Sequence, residues 1–290
     1  MLFTRDEGTS WFIWKGNNGG VHDFCTDVEI AANGRVLAAF GGRLEDASNI
    51  GNFINVESDG VWFSDNGGSN WGLLRQSEPF ESRIEIATSP DAPYHYYLLC
   101  ENTLVENNVG LPPTIYRSLP EFISDPNINP QFAWAPITIP NWTDCDQFGG
   151  FDFTRGQDWY DLALAVYPGA PNSILVGGID LFLCNIVFNP FTGLFQGDDW
   201  FQLSNWQADC NNFQFVHADQ HGIFFKNANE VYVTNDGGIY KSSNAFDGLD
   251  FSFLGNSLNI TQFYSADLDP QAGSDYYLGG TQDNGVLSLD

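Results

Sequence analysis

Trp71-Gly72-Leu73-Leu74 is one of five short segments that place an aromatic three residues ahead of another large apolar residue. The others are Trp11-Phe12-Ile13-Trp14, Trp134-Ala135-Pro136-Ile137, Trp200-Phe201-Gln202-Leu203 and Phe251-Ser252-Phe253-Leu254, which gives intervals of 60, 63, 66 and 51 residues. Regular spacing of this length with strand-like content points to an array of small antiparallel sheets, of which propeller blades are the common form. A second anchor runs in phase upstream: Leu2 and Thr4, Trp62 and Ser64, Tyr116 and Ser118, Phe182 and Cys184, Tyr240 and Ser242. Between the anchors lie the turns Asp59-Gly60, Gly177-Gly178 and Asp236-Gly237-Gly238, where positive φ is expected.

The reading that follows is an all-β chain, a β-propeller of four-stranded antiparallel blades, as one domain or propeller segment over residues 1–290. Complete blades are expected at about 21–75, 82–138, 158–204 and 216–255, with partial units at 1–15 and 260–290. Their inner strands begin near Asp27, Arg83, Asp161 and His221, and second strands follow at Val36, Tyr96, Ile174 and Val231. The terminal pieces could join as one composite blade, or the chain could be a segment of a larger ring; the second is favoured here.

Two turns share a tighter pattern, Thr4-Arg5-Asp6-Glu7-Gly8-Thr9-Ser10-Trp11 and Ser64-Asp65-Asn66-Gly67-Gly68-Ser69-Asn70-Trp71. They resemble the Asp-box, or bacterial neuraminidase, repeat, with degenerate copies at Ser118, Cys184 and Ser242. A short polar side chain should accept backbone N–H bonds there, Gly should take the left-handed conformation, and Trp should pack on the neighbouring sheet. The stretches 159–168, 176–180, 216–221, 235–242 and 279–285 resemble the sortilin-like propellers of large secreted Bacteroidetes-type proteins. That resemblance implies export through the type IX system, an extracellular or cell-surface location, and a place in a longer polypeptide or assembly.

Composition excludes some partners. With 37 acidic against 10 basic residues the net charge is −27, which repels nucleic acid and anionic membrane. No apolar run is long enough to span a bilayer as a helix. Of the five cysteines, Cys100 and Cys184 lie in apolar strand patterns, whereas Cys145 and Cys210 sit in polar loops before adjacent inner strands and are candidates for a disulfide.

Candidate chemistry gathers in the loops that lead into the inner strands. His217-Ala218-Asp219-Gln220-His221 would, on an extended strand, send both imidazoles and the carboxylate to one face. His217 and His221 are thus candidate ligands for a divalent cation, against the alternative of a hydrogen-bond network reaching Gln282 and Asp283. Trp142, Trp159 and Trp206 are candidate sugar platforms. Asp27, Asp161 and Asp219 are candidate carboxylates for a glycosidase, which needs a facing pair. A sialidase would need an arginine triad, and the seven arginines are scattered. The sequence therefore favours a noncatalytic propeller that presents a channel-mouth surface to a glycan or protein, with a glycoside hydrolase as the alternative.

Overall fold

The computed structural model describes residues 2–4, 6–13, 24–41, 60–106, 109–123, 133–140, 152–189, 195–207, 213–244, 250–257, 261–271, 274 and 276–289. Four sheets of four sequential antiparallel strands follow one another. Sheet I comprises Phe24–Ile30, Val36–Gly41, Gly60–Ser64 and Gly72–Gln76; sheet II comprises Glu81–Thr88, Tyr96–Asn102, Thr114–Ser118 and Trp134–Ile137. Sheet III comprises Ala163–Tyr167, Ala170–Gly177, Leu181–Phe188 and Phe195–Gln202; sheet IV comprises Gln220–Asn227, Glu230–Asn235, Gly238–Ser242 and Phe251–Phe253. A three-stranded sheet V closes the series with Phe263–Leu268, Tyr277–Thr281 and Val286–Leu289.

The repeat is visible in the register. Ser118 pairs with Trp134, Cys184 with Trp200 and Ser242 with Phe251, so in sheets II to IV the small anchor of the third strand faces the aromatic anchor of the fourth. The first strands of sheets I to IV pack in succession, and apolar residues alternate between the two neighbouring interfaces. In sheet II, Tyr96, Leu98 and Cys100 turn towards Leu37, Ala39 and Val61 of sheet I, while Tyr97 and Leu99 turn towards Leu164, Ile174 and Val176 of sheet III. Leu175 faces the opposite way, against Ile223, Val231 and Val233 of sheet IV. A middle sheet thus buries both faces, and each such Leu, Ile or Val contributes about 1.5–3 kcal/mol of gross burial.

The described sheets resemble propeller blades but do not close into a ring. Leu2–Phe3 and Phe12–Ile13 form a hairpin of their own, separate from sheet V, so the composite blade is not formed. Sheet V also lacks the covering that sheets II and III receive: all six residues of Phe263–Leu268 are exposed.

Both Asp-box-like turns have the same internal bonds. Gly8 N donates to Thr4 Oγ1 (2.9 Å) and Ser10 N to Asp6 Oδ1 (2.8 Å). Gly68 N likewise donates to Ser64 Oγ (2.9 Å) and Asn70 N to Asn66 Oδ1 (2.9 Å). Gly8 and Gly68 take φ of 88° and 82°. The indoles behave differently from expectation, because Trp11 is 58% exposed and Trp71 ties Nε1 to Gly68 O within its own turn. The other glycines divide into two kinds. Gly60 and Gly238 have positive φ as expected, but Gly177 and Gly178 are needed for close approach, since an added Cβ would lie 2.6 Å from Gln220 Cβ and 2.7 Å from Phe153 O.

Candidate functional site

Antiparallel pairing puts the start of a first strand, the turn between second and third strands and the end of a fourth strand at one end of a sheet, here called the upper end. Residues leading into sheet III are fixed there by a series of turns. Tyr160 N and Asp161 N both donate to Gln157 O, and Asp158 Oδ2 accepts from Asn102 N of sheet II (2.8 Å). Arg83, on the first strand of sheet II, donates to the carbonyls of Tyr160 (2.5 Å) and Leu162 (3.2 Å) and forms an ion pair with Glu85 (2.8 Å). The Trp159-Tyr160-Asp161 segment is therefore held in place between two sheets.

The segment leading into sheet IV departs from a strand. Asp219 sits at φ 64°, and the first strand begins only at Gln220. The alternation expected for His217, Asp219 and His221 does not apply across that left-handed residue, and the two imidazoles find different partners. His217 Nε2 lies 3.2 Å from Asp283 O in the loop of sheet V, whereas His221 Nε2 donates to Asp236 Oδ1 at 2.7 Å. Beneath them Gln220 is fully buried and donates to the carbonyls of Ile179 and His217 while accepting from Asn235 Nδ2.

A cleft of about 510 Å³ opens between sheets IV and V at this end. Its polar lining includes Tyr160, Asn235, Asp236, Gln282, Asp283 and Asn284, with Thr261 and Gln262 beside them and Phe253 and Leu287 as apolar lining. Asp236 is its hub: Tyr160 Oη donates to both carboxylate oxygens at 3.1 Å, His221 donates to one of them, and Asn284 Nδ2 donates to the Asp236 carbonyl at 3.1 Å. The Tyr160 hydroxyl is pushed up to about 12, first by desolvation and then by its bond to Asp236, so it stays protonated and acts as a donor. Trp159 is 56% exposed with its ring 5.4 Å from that of Tyr160, and His221 meets Tyr160 edge-on at 4.8 Å.

The remaining candidates lie elsewhere. Asp27 accepts from Ile86 N (2.7 Å) and joins sheet I to sheet II. Trp206 lies under the Arg155 guanidinium (5.6 Å) rather than in the cleft lining. Asp161 is fully buried, and among the described residues neither carboxylate oxygen has a hydrogen-bond partner. Burial, and next the charge of Asp219, pushes its pKa up to about 9. Trp142, Cys145 and Cys210 fall outside the described residues; Cys25, Cys100 and Cys184 are free thiols. Among the described residues no group of three His, Cys, Asp or Glu is placed to hold a metal ion.

Sequence reasoning singled out as a site residue neither Asp236, in a turn between second and third strands, nor Tyr160, which neighbours the candidates Trp159 and Asp161. The signal that could have found Asp236 is topological: a turn between second and third strands lies at the same end as the start of the first strand.

No family model and no curated protein matches the chain. Among solved structures it is similar to the GH74 xyloglucanase from Xanthomonas campestris, at 16% identity and a TM-score of 0.57, over 97% of this chain and 39% of that one. It is similar also to an ancestral GH74 enzyme, at 16% identity and a TM-score of 0.58, over 99% of this chain and 36% of that one. YCF48 from Cyanidioschyzon merolae aligns at 14% identity and a TM-score of 0.45, over 99% of this chain and 75% of that one. The chain thus spans well under half the length of the two enzymes, and the likeness is one of fold.

Proposed function

We propose that this chain is a noncatalytic, extracellular or cell-surface module of the Asp-box and sortilin-like propeller type, whose upper-end cleft binds a glycan. The observation that carries the reading is the lining of that cleft. Tyr160, Asp236, Gln282, Asp283 and Asn284 supply fixed donors and acceptors around about 510 Å³, a volume suited to a small ligand. Trp159 stands exposed beside Tyr160, offering the flat apolar surface on which a sugar ring can stack. The noncatalytic part rests on Asp161. It is the carboxyl group held protonated well above neutral pH, yet it is fully buried and absent from the cleft lining, so it is not placed to protonate a leaving group.

Calorimetric titration with a panel of oligosaccharides tests the reading, with Trp159→Ala and Tyr160→Phe as site variants. Binding that both variants weaken is the expected result; no binding by any glycan overturns it. A glycosidase reading has one observation in its favour, the presence of both Asp236 and Asp283 in the cleft lining. Glycan hydrolysis that Asp236→Asn abolishes without unfolding would put that reading in place of this one.

A further inference from the structure

The cleft is a site by its volume and mixed lining; its charge decides what it accepts. The charged side chains that line it, Asp236 and Asp283, are both acidic. Among the described residues Arg35 pairs with Asp65, Arg75 with Glu81, Arg83 with Glu85, and Lys226 and Lys241 with Glu230, all away from the cleft, while His221 stands 2.7 Å from Asp236 and is a cation there only when protonated. The field reaches beyond the lining, since Asp219 is pushed up first by burial and then by the charges of Asp236 and Asp283. An anionic sugar would therefore meet repulsion that no described lysine or arginine of the cleft lining offsets. Yet the acidic groups do not converge tightly enough for three of them to share a metal ion. The negative charge is spread along a cleft beside neutral amides and aromatic rings, a geometry that suits a cationic group carried on a larger polar ligand.

Resting on the glycan reading above, we propose that the cleft is selective for sugars with a free amino group, the ammonium of an unacetylated hexosamine lying between Asp283 and Asp236. Gln282 Nε2 donates to Asp283 Oδ2 and Asn284 Nδ2 to the carbonyls of Asp236 and Gln282, which leaves their amide oxygens to accept from the sugar hydroxyls. Charge-assisted hydrogen bonds of this kind are about twice as strong as neutral ones, and converting the ammonium to an amide removes the charge.

The test compares binding of a glucosamine oligomer, its fully N-acetylated counterpart and a neutral glucose oligomer of equal length, at about pH 6 and at two salt concentrations. Oligolysine of matched charge controls for bulk attraction to a chain of net charge −27. The glucosamine oligomer should bind at least about 10-fold more tightly than the other two sugars. Asp283→Asn should remove most of that advantage, and Asp283→Glu should retain it. Equal binding of the three sugars, or indifference of the glucosamine oligomer to Asp283→Asn, overturns the amino-sugar selectivity and leaves the glycan reading standing. Oligolysine binding as tightly as the glucosamine oligomer also overturns it, in favour of unspecific attraction. Binding of none of the sugars overturns both. The comparison of sugars on the unaltered protein decides the matter even where a variant fails to fold.

Discussion

At the upper end of the first strands the chain gathers Tyr160, Asp161, His217, Asp219 and His221, whereas at the lower end the same strands and their turns line a second depression of about 440 Å³ in which Ile30, Leu164, Val166, Ile223 and Phe224 stand beside Glu29, Asp91 and Lys226. Ile30 and Phe224 are 67% and 61% exposed. The strand bodies between the two ends are alike, because alternation sends their side chains into neighbouring sheets. The difference therefore resides in the connections. Both ends are tied by side chain to backbone bonds across sheets, Arg83 to Tyr160 and Gln220 to Ile179 at the upper end and Asp91, accepting from Gly169 N, at the lower, so the upper end differs in the polar groups its connections carry. A rigid scaffold carrying polar connections is the arrangement in which binding residues are usually found.

The strongest break between the ends should be electrostatic. Asp161 has a folded-state pKa of about 9 against about 3.9 in an unfolded chain. Between those values the folded protein keeps a proton that the unfolded chain has released. The stability this group contributes is thus complete below about pH 4 and is lost as pH rises towards 9. Glu29 and Glu85, pushed up to about 7 chiefly by burial, and Asp158, to about 6, act with the same sign. Asp161→Asn, which needs no proton, should raise stability at pH 7 by up to about 4 kcal/mol and flatten the slope. Urea unfolding at several pH values between about 5 and 9 measures this. A flat profile in the unaltered protein, or a variant less stable at neutral pH, would mean that Asp161 is ionised and paired.

Arg83 comes next in size. Removing its guanidinium strips Glu85 of its ion pair and frees the carbonyls of Tyr160 and Leu162, a partly buried network whose loss costs about 2–3 kcal/mol. Arg83→Met should therefore lower the unfolding midpoint and, by loosening Trp159 and Tyr160, weaken glycan binding as well. A loss of stability with unchanged affinity would show that the upper end does not depend on this brace.

The strand order and blade-like repeat were legible because they rest on period-two alternation and on anchors such as Ser118 with Trp134, where register repeats what spacing suggests. The site was legible only in part. Gln282 and Asp283 line the cleft, but the geometry of 217–221 turns on one residue, Asp219, in a left-handed conformation that no local pattern announces. Gly177 and Gly178 likewise looked like turn glycines, while their role is set by Gln220 and Phe153, side chains distant in sequence. Ring closure depends on what covers the faces of sheet V, and alternation within a strand is silent on that.

Tyr160→Phe should have a smaller effect, because it removes one hydroxyl that donates to Asp236 and leaves His221 donating to the same carboxylate. A loss of about 1 kcal/mol is expected, read as a several-fold weaker glycan affinity with a nearly unchanged melting temperature. An unaltered affinity would place the ligand away from the Tyr160 side of the cleft.

The smallest effect is expected at the lower end, and it bears most directly on the comparison. Phe224 is largely exposed and lines the second depression rather than the cleft. Phe224→Ser removes apolar surface that is already in water, so stability should change by no more than about 0.5 kcal/mol. Glycan affinity should stay within error of the unaltered protein, since Phe224 is not part of the cleft lining. Loss of glycan binding in Phe224→Ser, with melting unchanged, would move the ligand to the apolar end and reverse the division of labour drawn here between the two ends.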